Sequence, residues 1–249
     1  MEKNFLNNYI LDLLESLNQN LSSYMKVKES EYLHHLRVDI KKINAILSFA
    51  EKIFKTKYNA NLLKLLFHDA GKIREIQINL NLLNAIPKPP LRLITRLRKE
   101  ENTLSKEFIK NDVQYIFTIK HFRKNIRLPK LLSNKMTIAK YFINQKNKAE
   151  KILQNLDRGN LHRYRKKIKK LIYIYNALPK RIQNKIDIDI AVINKQQQWV
   201  GDWHDTYAAI NFLSHEHPTI LKSDYISNLR KNEKKQFDNL VVNLTNKNA

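Results

Sequence analysis

The sequence predicts an all-α protein, and three observations support this prediction. The chain holds only 3 glycines and 6 prolines in 249 residues, too few for the turns that an all-β fold needs about every 8–12 residues. Apolar residues recur at the spacing of one helix face along most of the chain. One pattern of apolar and basic residues also returns half a chain later, which predicts two four-helix bundles related by a pseudo-two-fold repeat. The predicted halves are residues 1–128 and 129–249.

Eight helices are predicted, four on each side of about residue 130. The first carries a long apolar stripe, and the second and sixth carry the repeated pattern. Asn59 or Asn61 would cap the third helix, and Asn160, directly after Gly159, would cap the sixth. The predicted helices cover residues 4–25, 28–55, 59–83, 91–120, 133–157, 160–178, 189–214 and 218–240. The prolines that punctuate the pattern are Pro87, Pro89, Pro90, Pro129, Pro179 and Pro218.

Charge and composition exclude several classes of function. The chain has 46 Lys and Arg against 23 Asp and Glu, a formal net charge of +23, and no cysteine. The lack of cysteine excludes disulfides, thiolate zinc sites and cysteine nucleophiles, and three glycines form no Gly-rich nucleotide loop. No apolar run approaches the length of a membrane span and no signal peptide is evident, so we expect a soluble, cytoplasmic protein. The charge favours a polyanionic partner over the alternative of a merely solvated lysine-rich surface.

Two segments repeat with the same residue types in the same order. The first is Leu33–Ile43 and its counterpart is Leu161–Leu171. Downstream of each lies a glycine followed, after two residues, by a basic residue and an acid, at Gly71–Glu75 and Gly201–Asp205. Two separate matches in one order indicate an internal duplication. The aligned pairs are Leu33/Leu161, His34/His162, Arg37/Arg165, Ile40/Ile168, Lys41/Lys169, Lys42/Lys170 and Ile43/Leu171.

Each repeated helix carries a row of basic residues beside its apolar stripe. Helix geometry places the three members of a row within about 60° of one another over a length of about 10 Å. A single row of this kind usually only covers the apolar stripe with its aliphatic stems. Its repetition favours a binding site, and its length suits consecutive phosphates of an extended polyanion. The first basic row is His34, Arg37 and Lys41, and the second basic row is His162, Arg165 and Lys169.

These segments resemble the CHAD family, the conserved-histidine α-helical domains. Members of that family carry an H-x-x-R-x-x-x-[RK]-[RK] helix in each half, followed by a helix with L-G-x-x-R-D. The resemblance covers about residues 5–240 and implies two four-helix bundles with a basic channel between them. It also implies binding of inorganic polyphosphate without catalysis, cofactor or metal. The predicted polyphosphate-binding residues are His34, Arg37, Lys41, Lys42, Arg74, His162, Arg165, Lys166, Lys169, Lys170 and His204.

The partners follow from the charge and the resemblance. Inorganic polyphosphate is the predicted ligand, with nucleic acid bound non-specifically through its phosphate backbone and no membrane partner. Polyphosphate granules in the cytoplasm are a place where such a protein would act. Several arginines of the family pattern are lysines here, and Asn44 and Ile172 replace a third basic residue. Because lysine is a point charge, we expect looser and more salt-sensitive binding, which strengthens as histidines protonate below neutral pH.

Two other functions remain open at this stage. His68-Asp69-Ala70-Gly71-Lys72 resembles the metal-binding helix of HD-domain phosphohydrolases. The repeat disfavours this alternative, because Gln198 and Trp199 stand where a second His-Asp pair would be. The remaining metal ligands would be His34 or His35 and Asp112.

The other alternative is a nucleic-acid-binding protein. Residues 88–130 hold 12 basic residues against 4 acidic ones, and Phe122 lies among the basic residues of the segment 121–127. Basic residues interleaved with an aromatic are typical of single-strand binders. No helix-turn-helix, zinc-finger or RNA-recognition signature is present.

Overall fold

The computed structural model describes residues 5–86, 88–129, 135–216 and 224–245, and every regular element in these ranges is a helix. The all-α prediction is confirmed. Pro87, Pro218 and the predicted helix starts at 133 and 218 lie outside the described residues. Among the described helices, none combines the length and apolarity that crossing a membrane requires. The helices are α1 (Phe5–Val27), α2 (Ser30–Phe54), a 3₁₀ turn (Ala60–Leu63), α3 (Lys64–Asn84), α4 (Leu91–Lys110), α5 (Asp112–Asn125), α6 (Lys135–Leu153), α7 (Arg158–Asn176), α8 (Lys180–Gln183), α9 (Ile190–Glu216) and α10 (Asp224–Thr245).

The predicted helix 91–120 is wrong as a single element, because the chain breaks it at Asn111. This residue ends α4 and precedes α5 with φ −91° and ψ 10°, a conformation between helix and turn. Its carbonyl still accepts a hydrogen bond from the Tyr115 N–H at 3.0 Å. The buried residues Phe108, Tyr115 and Ile119 continue one apolar pattern across the break. Periodicity therefore could not reveal the two helices, although α4 packs against α3 and α5 against α1.

The predicted helix caps are partly right. The Asn59 side chain accepts a hydrogen bond from the Asn61 N–H and starts the 3₁₀ turn that leads into α3. Asn160 does not cap α7, because the helix begins earlier and the Asp157 carboxylate accepts from the Asn160 N–H at 2.7 Å. Aspartate is as good a cap as asparagine, so propensity alone did not choose between them.

The described helices form two compact units. Unit 1 comprises Met1–Lys135 and Tyr173–Gln183, and unit 2 comprises Met136–Ile172 and Asn184–Ala249. In unit 1, α2 packs against both α1 and α3. The stripe of the first repeated segment is fully buried there, as its spacing predicts; it consists of Leu33, Leu36, Ile40, Ile43 and Leu47. The pseudo-two-fold repeat and the half-chain boundaries stay predictions.

Unit 2 is held together by one buried carboxylate as well as by its apolar core. Leu161, Tyr164 and Ile168 of α7 pack with Trp203 of α9 in that core. Glu233 of α10 is 5% exposed. It accepts two hydrogen bonds from Arg158, at 2.9 and 2.8 Å, and one from the Trp203 indole at 2.8 Å. Since a buried charge needs paired and hydrogen-bonded partners, these bonds fix α7, α9 and α10 together.

Candidate anion-binding site

Arg37 of the first basic row lies flat against α3. Its guanidinium carbon is 4.1 Å above the centre of the Phe67 ring, and its Nη1 donates to the Phe67 carbonyl. The same Nη1 occupies the place that a Cβ on Gly71 would take. The glycine therefore makes room for the arginine side chain. Burial, followed by the charge of Arg74, lowers the pKa of Arg37 while Glu75 opposes the shift, but a guanidinium stays charged in a protein.

Arg74 brings a second guanidinium from α3 to the first basic row. Its charge lowers the pKa of both Arg37 and His34. Burial is the largest cause of the lowered His34 pKa, which the carboxylate of Glu31 opposes. Lys41 lies near the same ring as Arg37, with its Nζ 5.9 Å from the centre of Phe67. The structure thus brings His34, Arg37, Lys41 and Arg74 together.

Lys42 has a different environment from the first basic row. Its Nζ is 3.6 Å from the carboxylate of Asp39, which is 4% exposed. Asp39 also accepts a hydrogen bond from Ser16 of α1 at 2.7 Å. The ion pair therefore balances a charge buried between α1 and α2.

The second basic row has a related arrangement in unit 2. Arg165 of α7 faces Gly201 of α9, where a Cβ would lie 4.0 Å from the Arg165 Nε and 3.6 Å from the Gln197 Nε2. Burial and the charge of Arg165 lower the pKa of Lys169. His204 first, and then Arg165 and Lys169, lower the pKa of the Asp205 carboxyl, while partial desolvation opposes the shift.

Two histidine rings stack beside Arg165. The centres of His162 and His204 are 4.8 Å apart, and their planes differ by 20°. Burial lowers the pKa of His162 most, followed by the charges of Lys166, His204 and Arg165. His162 is therefore mainly neutral at pH 7 in the unliganded protein. The structure brings His162, Arg165, Lys169 and His204 together.

Lys166 and Lys170 belong to a second cationic surface on α7. They line a groove of about 340 Å³ with Arg163, Lys167 and residues of α6. Lys167 donates to Gln145 of α6 at 3.3 Å, and burial followed by the charge of Lys148 lowers its pKa. Lys166 borders both surfaces because it also acts on His162. The groove is centred on the opposite flank of α7 from Arg165, as helix geometry requires.

Three side chains of the two clusters carry buried nitrogens without a hydrogen-bond partner among the described residues. They are the Nε atoms of Arg74 and Arg165 and the Nδ1 of His204. The His204 Nδ1 lies 3.6 Å from the Oδ1 of Asp205, which is too far for a hydrogen bond. An unsatisfied buried polar group costs about 1–3 kcal/mol. An anion whose oxygens reach these atoms, after a small movement of the side chains that cover them, would remove that cost.

The His-Asp pair on α3 is engaged in other contacts. Asp69 accepts a hydrogen bond from the Tyr115 hydroxyl at 2.8 Å and lies 3.9 Å from the Lys72 Nζ. Burial first, and then Asp69, raise the pKa of Tyr115. His68 is 66% exposed at its side chain. In the part of the chain that the structure describes, no three His, Asp or Glu residues are grouped in a way that could hold a metal ion.

Comparison with known proteins places the chain in a family. Residues 8–214 match the family model of the CHAD domain. The chain belongs to the CHAD domain family. The crystal structure of the CHAD domain from the plant Ricinus communis matches with a TM-score of 0.68 at 14% identity, over 98% of this chain and 92% of that one. At that identity the likeness shows the fold alone. No curated protein matches the sequence.

Sequence reasoning missed the reason for the two glycines. A glycine inside a helix is typical of close helix packing, whereas here Gly71 accommodates the Arg37 side chain and Gly201 faces that of Arg165. The signal was present, because each glycine follows its arginine in the repeat with similar spacing. Phe67 was not predicted at all, since nothing in one copy of the repeat marks an aromatic ring under a guanidinium.

Proposed function

We propose that this CHAD domain binds inorganic polyphosphate, without converting it, through its two basic rows and the residues of α3 and α9 that face them. The unpartnered buried nitrogens of Arg74, Arg165 and His204 support this proposal most directly. Phosphate oxygens would accept hydrogen bonds at these atoms, and each bond to a charged donor contributes about 1.5–3 kcal/mol. A row about 10 Å long matches a chain of phosphates better than a single phosphate ion.

The position of Arg37 favours binding because its side chain is already ordered. The contacts with the Phe67 ring and carbonyl hold the guanidinium in one place. Ordering a long side chain on binding costs about 0.5–1.5 kcal/mol, and much of this cost is already met in the unliganded protein. Since Arg37 keeps further N–H donors, its contact with Phe67 leaves donors for a phosphate.

The contacts of Asp69 support binding over metal-dependent hydrolysis. A metal ion at Asp69 would compete with the Lys72 ammonium, which lies 3.9 Å from one carboxylate oxygen, while the Tyr115 hydroxyl donates to the other. A net charge of +23 favours an anionic polymer over a cation. The channel between the two halves that the family resemblance implies stays a prediction.

The test is a competition titration of labelled long-chain polyphosphate at about physiological salt, with duplex DNA and short oligophosphates as competitors. The variant R37Q/R165Q removes one arginine from each row. The control K52Q/K235Q removes the same charge from exposed positions of α2 and α10 outside both rows. We expect polyphosphate to be preferred, and the row variant to lose about 100-fold in affinity if one charge-assisted bond of about 1.4 kcal/mol or more is lost per row.

Two outcomes would contradict the proposal. Equal affinity for duplex DNA and polyphosphate would mean that the charge acts generically. Equal losses in the row variant and the control would mean that the rows are not the site. Circular dichroism and thermal unfolding of each variant show that the measured loss does not arise from misfolding. The single variants R37Q and R165Q then tell whether one polymer engages both rows, because in that case each alone weakens the same binding event.

A further inference from the structure

The outward face of α5 combines apolar, aromatic and basic side chains. Val113 and Phe117 are 74% and 67% exposed, among the most exposed large apolar residues that the structure describes. Lys120, His121 and Lys124 follow on the same side of the helix and are also exposed. Phe122, the aromatic singled out by the sequence pattern, is only 2% exposed and belongs to the core. Any stacking surface on α5 must therefore be built on Phe117.

Phe117 and His121 form an ordered pair of rings at the surface. Their centres are 6.0 Å apart and their planes differ by 17°, so the rings are nearly parallel. The Asn125 side-chain nitrogen lies 3.0 Å from the His121 Nε2 and donates to the His121 carbonyl at 2.8 Å. The asparagine thus holds the histidine ring against Phe117. A flat aromatic surface fixed in this way is ready to stack with another planar group.

A basic cleft lies next to the ring pair, between α5 and α1. It measures about 660 Å³ and is lined by Lys120, Arg123, Lys124 and Arg127 together with Asn7 and Asn8 of α1. Asn7 donates to the Leu128 carbonyl at 2.8 Å and accepts from its N–H at 2.9 Å, which fixes the wall that follows Arg127. The carboxylate of Glu15 lies 3.5 Å from Arg123 and offsets part of the cleft's positive charge. The cleft remains strongly cationic.

We propose that this α5 face binds single-stranded nucleic acid, with bases stacked on Phe117 and His121 and phosphates in the basic cleft. Aromatic rings beside a cationic groove bind single strands because every base has a stacking face and every nucleotide a negative charge. Polyphosphate has the charge but no base, so the rings would add nothing to its binding. Two exposed apolar side chains are too few to anchor a membrane or a hydrophobic partner. This proposal is independent of polyphosphate binding by the basic rows.

The test compares two labelled oligomers of about 15 nucleotides, one of thymidines and one of abasic sites with the same number of phosphates. Fluorescence anisotropy at about physiological salt measures both affinities. We expect wild type to prefer the thymidine oligomer about tenfold or more, as stacking of even one base provides. F117A should lower affinity for the thymidine oligomer to that for the abasic one, while its affinity for the abasic oligomer and for polyphosphate stays unchanged.

The variant L91A is the matched control, since Leu91 is 72% exposed in unit 1 but lies on α4. It should retain the preference for the thymidine oligomer. R37Q/R165Q should retain it too, even where polyphosphate binding is lost, which separates failure of this proposal from failure of the proposed function. Equal affinity of wild type for both oligomers would overturn the proposal. The proposal would also be overturned if F117A lost binding to phosphatidylglycerol vesicles but kept its binding to the thymidine oligomer.

Discussion

The substitution Gly71→Ala tests the packing of Arg37 against α3. A Cβ at this position would overlap the Arg37 Nη1 and lie 3.0 Å from its Cζ and 3.4 Å from its Nη2. The far end of a flexible side chain can move, so the protein should fold with the guanidinium displaced. Displacement loses the hydrogen bond to the Phe67 carbonyl and the contact with the Phe67 ring. Affinity for polyphosphate should then fall about tenfold, as for loss of one charge-assisted bond.

The effect of Gly71→Ala on stability can be worked from the same contacts. Alanine in a helix interior gains about 1 kcal/mol over glycine. The lost bond from a charged donor costs about 1.5–3 kcal/mol, and the lost cation–π contact costs about 0.5–1 kcal/mol. We therefore expect a net loss of about 1–3 kcal/mol in the free energy of unfolding. Urea denaturation followed by circular dichroism measures this change.

Gly201→Ala is the internal control, because its Cβ would lie at ordinary contact distances of 3.6 and 4.0 Å. It should stabilise the protein by up to about 1 kcal/mol and leave binding unchanged. In an R37A background, Gly71→Ala should also become stabilising, since the clashing guanidinium is gone. The reasoning is refuted if Gly71→Ala is as stable as Gly201→Ala and binds polyphosphate with wild-type affinity.

Four further predictions concern pH, salt and the core of unit 2. Burial lowers the pKa of His34 and His162, so the unfolded state takes up protons before the folded state does. The free energy of unfolding should therefore be constant above about pH 6.5 and fall as pH falls below it. Urea denaturation from pH 8 to 5 measures this change, and no fall, or an equal fall in H34N/H162N, would contradict it. Polyphosphate should bind more tightly as pH falls over the same range, and this dependence should be weaker in H34N/H162N. The logarithm of affinity should fall linearly with the logarithm of salt concentration, less steeply in the variant lacking both row arginines, and an affinity insensitive to salt would exclude this electrostatic mechanism. In unit 2, R158Q should lower the free energy of unfolding by about 3 kcal/mol, and by more than E233Q does. R158Q leaves the Glu233 carboxylate, 5% exposed, without its ion-pair partner, whereas the Arg158 side chain is 46% exposed and can be hydrated in E233Q. Thermal or urea unfolding gives the order of the two variants, and the reverse order would contradict the prediction.

The helices and the basic rows could be predicted because each rests on a local pattern. Apolar spacing depends only on helix geometry, and the stripe from Leu33 to Leu47 is buried as that spacing requires. The break at Asn111 was missed because apolar spacing is similar on both sides of it. The cap at Asp157 was missed because several residues in one turn have similar capping propensity.

Details of the candidate site depended on contacts between helices that one sequence does not show. The repeat aligned Lys42 with Lys170, yet one pairs with the buried Asp39 and the other lines a groove with residues of α6. Similarly, the basic residues around Phe122 favour it as the stacking residue in the sequence, but in the structure Phe122 is buried in the core and Phe117 is exposed. Equal residue types at equivalent positions therefore do not guarantee equal surroundings, because the facing helices differ.

The division of the chain into units has a consequence for synthesis on the ribosome. Unit 1 includes Tyr173–Gln183, and these residues emerge only after nearly all of α6 and most of α7, which belong to unit 2. Unit 1 therefore cannot be completed before the synthesis of unit 2 begins, as it would be if the units folded one after the other from the N-terminus. Unit 1 is consequently complete only once residue 183 has left the ribosome, after the first segment of unit 2, Met136–Ile172, has already emerged.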